Sequence, residues 1–158
     1  MLLAAPLPAG AQQESWRPLR GMRAVALDVA MAPDHPGIPL DEVERRLADL
    51  LANASPLLRV DAQAPDALRV LISVRAVSGT ELRGFYLPFS GVYGVGPVRL
   101  VVERPATLAG QPGPAPAVVW EAERLVAGPW HRAGALVMRL LPDLAAAFLD
   151  DHRRAHGQ

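Results

Sequence analysis

The chain has 158 residues, of which 51% are hydrophobic and 20% are charged, and its formal net charge is zero. This length fits a single domain with a hydrophobic core, and the absence of a basic excess disfavours nucleic acid as a partner. The sequence has no cysteine and no lysine, which excludes thiol nucleophiles, thiolate metal sites, disulfides and lysine-based catalysis.

Residues 1–13 resemble the end of an export signal. An apolar run leads to Ala9-Gly10-Ala11, which has the small-x-small pattern that signal peptidases cleave, and we expect cleavage after Ala11. The pattern predicts a periplasmic or secreted protein, whereas the alternative is an ordinary disordered N-terminus. No later apolar run reaches the roughly 20 residues that span a bilayer, so we expect no transmembrane segment. Residues 14–158 are predicted to form one globular α/β domain.

Hydrophobic periodicity predicts the element order β-α-β-β-β-β-α for this domain. The predicted strands cover residues 23–29, 57–61, 67–77, about 84–104 and 117–126. The fourth strand is interrupted at Gly96-Pro97, which indicates an edge strand or a bulge because proline cannot donate a ladder hydrogen bond. The expected fold class is α+β, with a mixed five-stranded sheet and two helices packed on one face.

The two predicted helices carry apolar residues on one side. The first begins at Asp41, which forms a capping-box pattern with Glu44, and ends before Pro56. The second starts at about residue 130 and runs to about residue 153. A kink or a restart is expected at Pro142, because proline removes one helical hydrogen bond.

Several short motifs give the chain a family resemblance. They are Leu19-Arg-Gly21, Gly84-Phe-Tyr86, Glu103-Arg-Pro105, Trp120 and Phe148-Leu-Asp-Asp151. With this element order, the chain resembles an uncharacterised family of small exported bacterial α/β proteins. The order of elements is also similar to the N-terminal domain of TolB. The resemblance implies a location in the bacterial envelope and protein partners, and it implies no catalytic residue.

The fourth predicted strand holds four of the chain's eight aromatic residues, and these are the predicted binding residues: Phe85, Tyr86, Phe89 and Tyr93. If the stripe faces outward, it would dock an extended peptide or the sheet edge of an envelope protein. If it faces inward, it is core beneath the helices. The glycines of this segment favour exposure, since they weaken a buried strand. An exposed edge here would permit a homodimer by strand pairing. Solvent-exposed aromatic rings would permit peripheral attachment to lipid.

One group of polar residues suggests an enzymatic alternative to partner binding. Asp28 at the end of the first predicted strand, with Asp34 and His35 in the loop after it, could serve a small metal-dependent or acid/base hydrolase, although that loop also fits an ordinary turn. Asp28 would need a partner if buried, and Arg23 or Arg75 could supply one.

His152 and His156 have a spacing that could place two imidazoles on one metal, but their position favours a solvated helix end. The sequence contains no catalytic motif, so no catalytic residue, metal site or cofactor is predicted. The expected function is a non-catalytic exported binding or assembly module that docks its partner at the fourth strand.

Overall fold

The structure is a computed structural model that describes residues 16–33, 37–78, 91–107, 109–110 and 112–157. Six strands and two helices lie within these residues. They are β1 (Ala24–Met31), α1 (Leu40–Ala54), β2 (Arg59–Val60), β3 (Ala67–Ile72), β4 (Arg75–Ser78), β5 (Val92–Thr107), β6 (Pro114–Pro129) and α2 (Ala133–Ala155). Short 3-10 turns at Arg17–Leu19 and Trp130–Arg132 precede β1 and α2.

The described strands form one mixed sheet. β1 is parallel to β2 on one side and to β3 on the other. β5 is antiparallel to its neighbours, with β3 and β4 along one side and β6 along the other. Because β3 faces residues 98–103 of β5 and β4 faces residues 92–95, these two strands together act as one interrupted strand. The predicted α+β class, with a mixed sheet and two helices, is confirmed.

Both helices pack on the same face of the sheet, where alternate strand residues are buried. α1 and α2 contact each other, and α2 also lies against β5 and β6. α1 buries Val43, Leu47 and Leu51, and the largest fully buried side chain of the described chain is Phe148 of α2. The sheet contributes Val25, Leu68, Val70, Ile72, Val98, Leu100 and Val102 to the same core.

The predicted third strand, residues 67–77, is interrupted at Ser73 because Gly96 approaches it very closely. A Cβ atom on Gly96, whose φ is +156°, would lie 2.1 Å from the carbonyl oxygen of Ser73. The backbone N–H of Ser73 nevertheless donates to the carbonyl of Pro97 at 3.0 Å. The nitrogen of Pro97 cannot return that bond, so the ladder breaks at this point and β4 resumes two residues later.

From Val92 to Glu103 β5 is an interior strand, so of the two alternatives predicted for the fourth strand, an edge or a bulge, the edge is wrong for these described residues. The N–H that Pro97 lacks falls at the break between β3 and β4, so a proline is accommodated inside the sheet. The glycines of β5 also reflect close packing. A Cβ atom on Gly94 would lie 2.7 Å from the Cβ of Ala133 at the start of α2. Here glycine marks burial, where the sequence had indicated exposure.

The helix boundaries differ modestly from their predictions. The N-cap of α1 is Pro39 and no side chain caps it, so the predicted capping box is wrong, and Asp41 lies instead in the first turn. A carboxylate there still complements the helix dipole. α2 continues as one helix through Pro142, so the predicted restart is not observed. Within the described residues, neither helix combines the length and the apolar character that crossing a bilayer requires.

Candidate functional site

Most of the predicted aromatic binding stripe lies outside the residues that the structure describes. Phe85, Tyr86 and Phe89 belong to residues 79–90, and their positions are not described. Tyr93 lies in β5 opposite Val77, and it is only 5% exposed. Tyr93 therefore offers little surface to a partner, although it is not a member of the core cluster beneath the helices.

Asp28 lies on the sheet face opposite the helices, at one end of a chain of ion pairs in which Arg69 is the central residue. Its Oδ2 is 2.6 Å from Nε of Arg69, and a second nitrogen of the same guanidinium is 3.1 Å from Oε1 of Glu103. The partner of Asp28 is therefore Arg69, not the predicted Arg23 or Arg75. Asp34 and His35 lie outside the described residues, so the hydrolase alternative stays a prediction without support here.

The two histidines near the end of α2 are not solvated as predicted, because the last turns of α2 pack against the N-terminal segment. His152 is 0% exposed, and its Nε2–H donates to the carbonyl oxygen of Met22 at 2.9 Å. His156 is half-buried, and its Nδ1–H donates to the carbonyl oxygen of His152 at 2.8 Å. Since a carbonyl can only accept, these contacts fix the tautomer of each neutral ring.

The remaining nitrogens of the two rings, Nδ1 of His152 and Nε2 of His156, are buried without a hydrogen-bond partner among the described residues. The ring centroids are 4.3 Å apart and the ring planes are tilted by 34°. In the described part of the chain, no group of three or more histidine, aspartate or glutamate side chains could hold a metal.

Burial lowers the pKa of His152 from its ordinary value of 6.5. The hydrogen bond to Met22 opposes this effect, and the charge of His156 adds to it. The neutral ring packs beside Phe148, whose ring in turn meets Trp120 edge-on at 5.4 Å. The indole N–H of Trp120 donates to Asp151 at 3.0 Å. This cluster holds the end of α2 on the sheet, which is a structural role.

A second buried polar contact fixes the N-terminal segment. Nε of Arg104 donates to Oδ1 of Asp66 at 3.0 Å, and the side chain of Asp66 is only 8% exposed. Nη1 of Arg104 donates to the carbonyl oxygen of Pro18 at 2.7 Å. One guanidinium thus joins β5, the start of β3 and the 3-10 turn before β1.

We expect Arg104→Met to lower the free energy of unfolding by about 2 kcal/mol, because it leaves the carboxylate of Asp66 buried without its ion pair. The N-terminal segment should also be released, and trypsin should then cleave faster at Arg20 and Arg23. The matched control is Arg99→Met, since the side chain of Arg99 is 40% exposed and its Nε lies 3.8 Å from Glu123, whose side chain is 57% exposed. That change should cost less than about 1 kcal/mol. Equal losses in urea denaturation of both variants would contradict the role assigned to Arg104.

The outer side of β6 is an open edge of the described sheet. Among the described residues β6 pairs with β5 alone, so its other side carries no partner strand. Leu125 is 66% exposed and Val118 is 55% exposed, and Leu125 is the most exposed large apolar side chain in the described chain. An open strand edge with exposed apolar side chains is a template for another strand.

The backbone of Leu125 points towards this open side. Leu125 lies opposite Pro97, whose carbonyl faces the other way and accepts from Ser73. In an antiparallel ladder the N–H and C=O of one residue point to the same side, and the side alternates along the strand. Pro97 and Leu125 therefore form a non-hydrogen-bonded pair. The outward-pointing backbone groups of β6 belong to Glu121, Glu123, Leu125 and Ala127.

A groove of about 270 Å³ runs beside this edge, between β6 and the first half of α2. It is lined by residues 125–127 of β6 and by Leu136, Arg139, Leu140 and Asp143 of α2. Gly128 allows the close approach, because a Cβ atom there would lie 2.6 Å from Cδ1 of Leu136. The edge and the groove together form the candidate site, which we call the β6 edge.

Sequence reasoning missed the β6 edge, although two signals could have located it. Leu125 and Val118 are apolar residues in a strand that also carries exposed glutamates. Pro97 has no backbone N–H, so it marks the side of β5 on which one ladder hydrogen bond cannot be donated. The predicted strand at 117–126 was also shorter than β6 (Pro114–Pro129).

No protein-family model matches the chain, and no curated protein matches it. Among solved structures, one that is similar is a dodecamer of a PelC variant from Paraburkholderia phytofirmans. The two sequences are 21% identical, the match covers 84% of this chain and 88% of that chain, and the TM-score is 0.41. A similarity of this degree carries no inference about the function of the present chain.

Proposed function

We propose that this chain is a non-catalytic exported binding or assembly module, which takes an extended segment of an envelope protein or peptide along the β6 edge. The observation that carries the proposal is the orientation of the β6 backbone. Every second residue from Glu121 to Ala127, four in all, presents its N–H and C=O groups to one open side. A strand added there would gain a hydrogen-bond ladder, which is how peptide-binding sheets obtain affinity.

The groove beside the edge supplies the second element of such recognition. Side chains of an added strand alternate between the two faces of the sheet, so every second one would lie above the groove. Its walls offer the apolar side chains of Leu136 and Leu140, and Arg139 and Asp143 form a polar rim. Main-chain bonds would then give affinity, while the groove selects the side chain. The exported location is proposed from the pattern of residues 1–13 and from the family resemblance.

A proline scan tests strand addition directly, because the backbone of β6 alternates. Leu125→Pro removes an N–H that points outward, so the fold should persist while the edge is blocked. Leu125→Ser removes the same side chain but keeps the N–H. With a photoreactive amino acid at Ala127 in intact cells, we expect a protein adduct from the wild type and from Leu125→Ser. The adduct should fall to background in Leu125→Pro.

The negative control for this experiment is the same photoreactive group at Arg46, an exposed residue of α1. Circular dichroism should verify that Leu125→Pro retains its secondary structure. The proposal fails if Leu125→Pro leaves the adduct from Ala127 unchanged, or if Arg46 gives the same adduct. A further variant, Arg124→Pro, removes an N–H that points to β5. It should instead destabilise the fold, which checks the assigned backbone alternation.

A further inference from the structure

We infer that the β6 edge binds a second copy of this chain, in an antiparallel register in which Leu125 of each copy lies opposite Leu125 of the other. The inference rests on the proposed function, because it uses the same edge and names its occupant. A two-fold axis perpendicular to the sheet would pass between the two leucines and extend the sheet from one copy into the next. Such an interface is self-complementary, as a two-fold contact must be.

Backbone geometry selects which registers are possible. Outward-pointing N–H and C=O groups must face each other, and on β6 they belong to odd-numbered residues from Glu121 to Ala127. With Leu125 opposite its twin, Glu123 faces Ala127 in both directions. Every one of these pairs can exchange two hydrogen bonds. A register displaced further towards Pro129 would lose bonds, since proline has no N–H to donate.

Charge selects among the remaining registers. A register centred on Glu121 or on Glu123 would place a carboxylate directly opposite its own copy, and one centred on Arg124 would oppose two guanidiniums. Like charges directly opposite each other destabilise a strand pair. The register centred on Leu125 avoids all three conflicts. It also joins the two most exposed leucine side chains across the axis, and each is 66% exposed in the single chain.

The groove supplies the charge complementarity of this register. Arg124 of one copy would lie opposite Val126 of the other, and Val126 lines the groove together with Asp143. Within the described part of the single chain, Arg124 is exposed and its side chain donates to the main-chain carbonyl of Glu123 alone. Asp143 has no ion-pair partner among the described residues. Two symmetric contacts between Arg124 and Asp143 would therefore use charges that the single chain leaves to solvent.

Because the natural sequence has no cysteine, single-cysteine variants can map the register. Leu125→Cys should form a disulfide-linked dimer under mild oxidation, since Cα atoms in a hydrogen-bonded pair lie about 5.5 Å apart and a disulfide spans that distance. Val118→Cys is the matched control at an exposed residue of the same strand, and it should form no disulfide-linked dimer because residue 118 does not face its own copy in this register. Glu123→Cys mixed with Ala127→Cys should crosslink several-fold more than either variant alone.

Charge reversal provides an independent readout by sedimentation. Arg124→Asp should weaken the dimer about tenfold, and the double variant with Asp143→Arg should restore most of that loss. Equal crosslinking at residues 118 and 125, or a monomer at every concentration, would overturn the inference. The proposed function would still stand in that case if Leu125→Pro abolished an adduct with a different protein. If neither the dimer nor such an adduct is found, both the inference and the proposed function are wrong.

Discussion

Gly96→Ala should destabilise the protein by at least about 3 kcal/mol, or prevent folding altogether. The added Cβ would lie 2.1 Å from the carbonyl oxygen of Ser73 and 2.9 Å from the Cα of Val74. These are backbone atoms on a neighbouring strand, so no side-chain rotation can relieve the overlap. The sheet would have to separate at the junction of β3 and β4, where Ser73 donates to Pro97.

Two other glycines of the chain make this prediction specific. At Gly91 a Cβ atom would meet nothing within 4 Å, so Gly91→Ala should change stability by no more than about 0.5 kcal/mol. At Gly128 the obstacle is Cδ1 of Leu136, the end of a flexible side chain, so Gly128→Ala should cost about 1 kcal/mol. Urea denaturation should give the order Gly96, then Gly128, then Gly91. A mild effect at Gly96 would show that β3 and β4 are not held in this register.

Stability should fall as the pH is lowered from 6.5 towards 5, and His152 should cause a measurable part of the fall. Burial lowers the pKa of His152 in the folded chain below 6.5, so the unfolded chain binds its proton first. Stability then decreases as the pH falls through this window, by up to about 1.4 kcal/mol per pH unit for one proton. It is fully present above pH 6.5, and the slope from this group ends below the lowered native pKa.

The test compares this slope in wild type and in His152→Gln, which keeps an N–H donor for the carbonyl of Met22 but cannot titrate. Urea denaturation at several values between pH 5 and pH 7 should show a shallower slope in the variant. His156→Gln should reduce the slope less, because burial is the larger cause of the shift. His131→Gln, at an exposed residue, controls for the loss of a histidine. Identical slopes in wild type and His152→Gln would refute the role of burial.

Much of the fold could be predicted from local pattern. Leu68, Val70 and Ile72 alternate with Arg69 and other less buried residues. This period of two correctly identifies β3 and its buried face. The apolar spacing in α1 and α2 likewise identifies both helices and the side that each buries. Such periodicities are local consequences of how side chains project from a strand or a helix, so the sequence carries them directly.

The position of a strand within the sheet could not be predicted in this way. Gly96 and Pro97 indicate a weak or exposed strand when only propensity is considered, yet β5 lies between β3 and β6. The reason is non-local, because the missing N–H of Pro97 falls at a break in another strand that is more than twenty residues away in sequence. The open edge was consequently expected on the wrong strand, and Leu125 was overlooked.

The environment of individual polar residues could not be predicted from local pattern either. His152 and His156 have the spacing of a solvated helix end, but His152 is completely buried because Met22 and the segment before β1 cover it. Asp28 takes Arg69 as its partner through the parallel register of β1 and β3. Burial and pairing depend on which distant segments meet, and no local pattern encodes that meeting.

The amino-acid sequence by itself determined the type and the buried face of most helices and strands, and its lack of cysteine and lysine excluded whole classes of chemistry. The tertiary structure alone decided that β5 is interior, that β6 has an open edge in the described sheet, and that His152 is enclosed. The division has one physical cause. Side-chain periodicity is a property of neighbouring residues, whereas hydrogen-bond partners across a sheet and exposure to water are properties of segments brought together by folding.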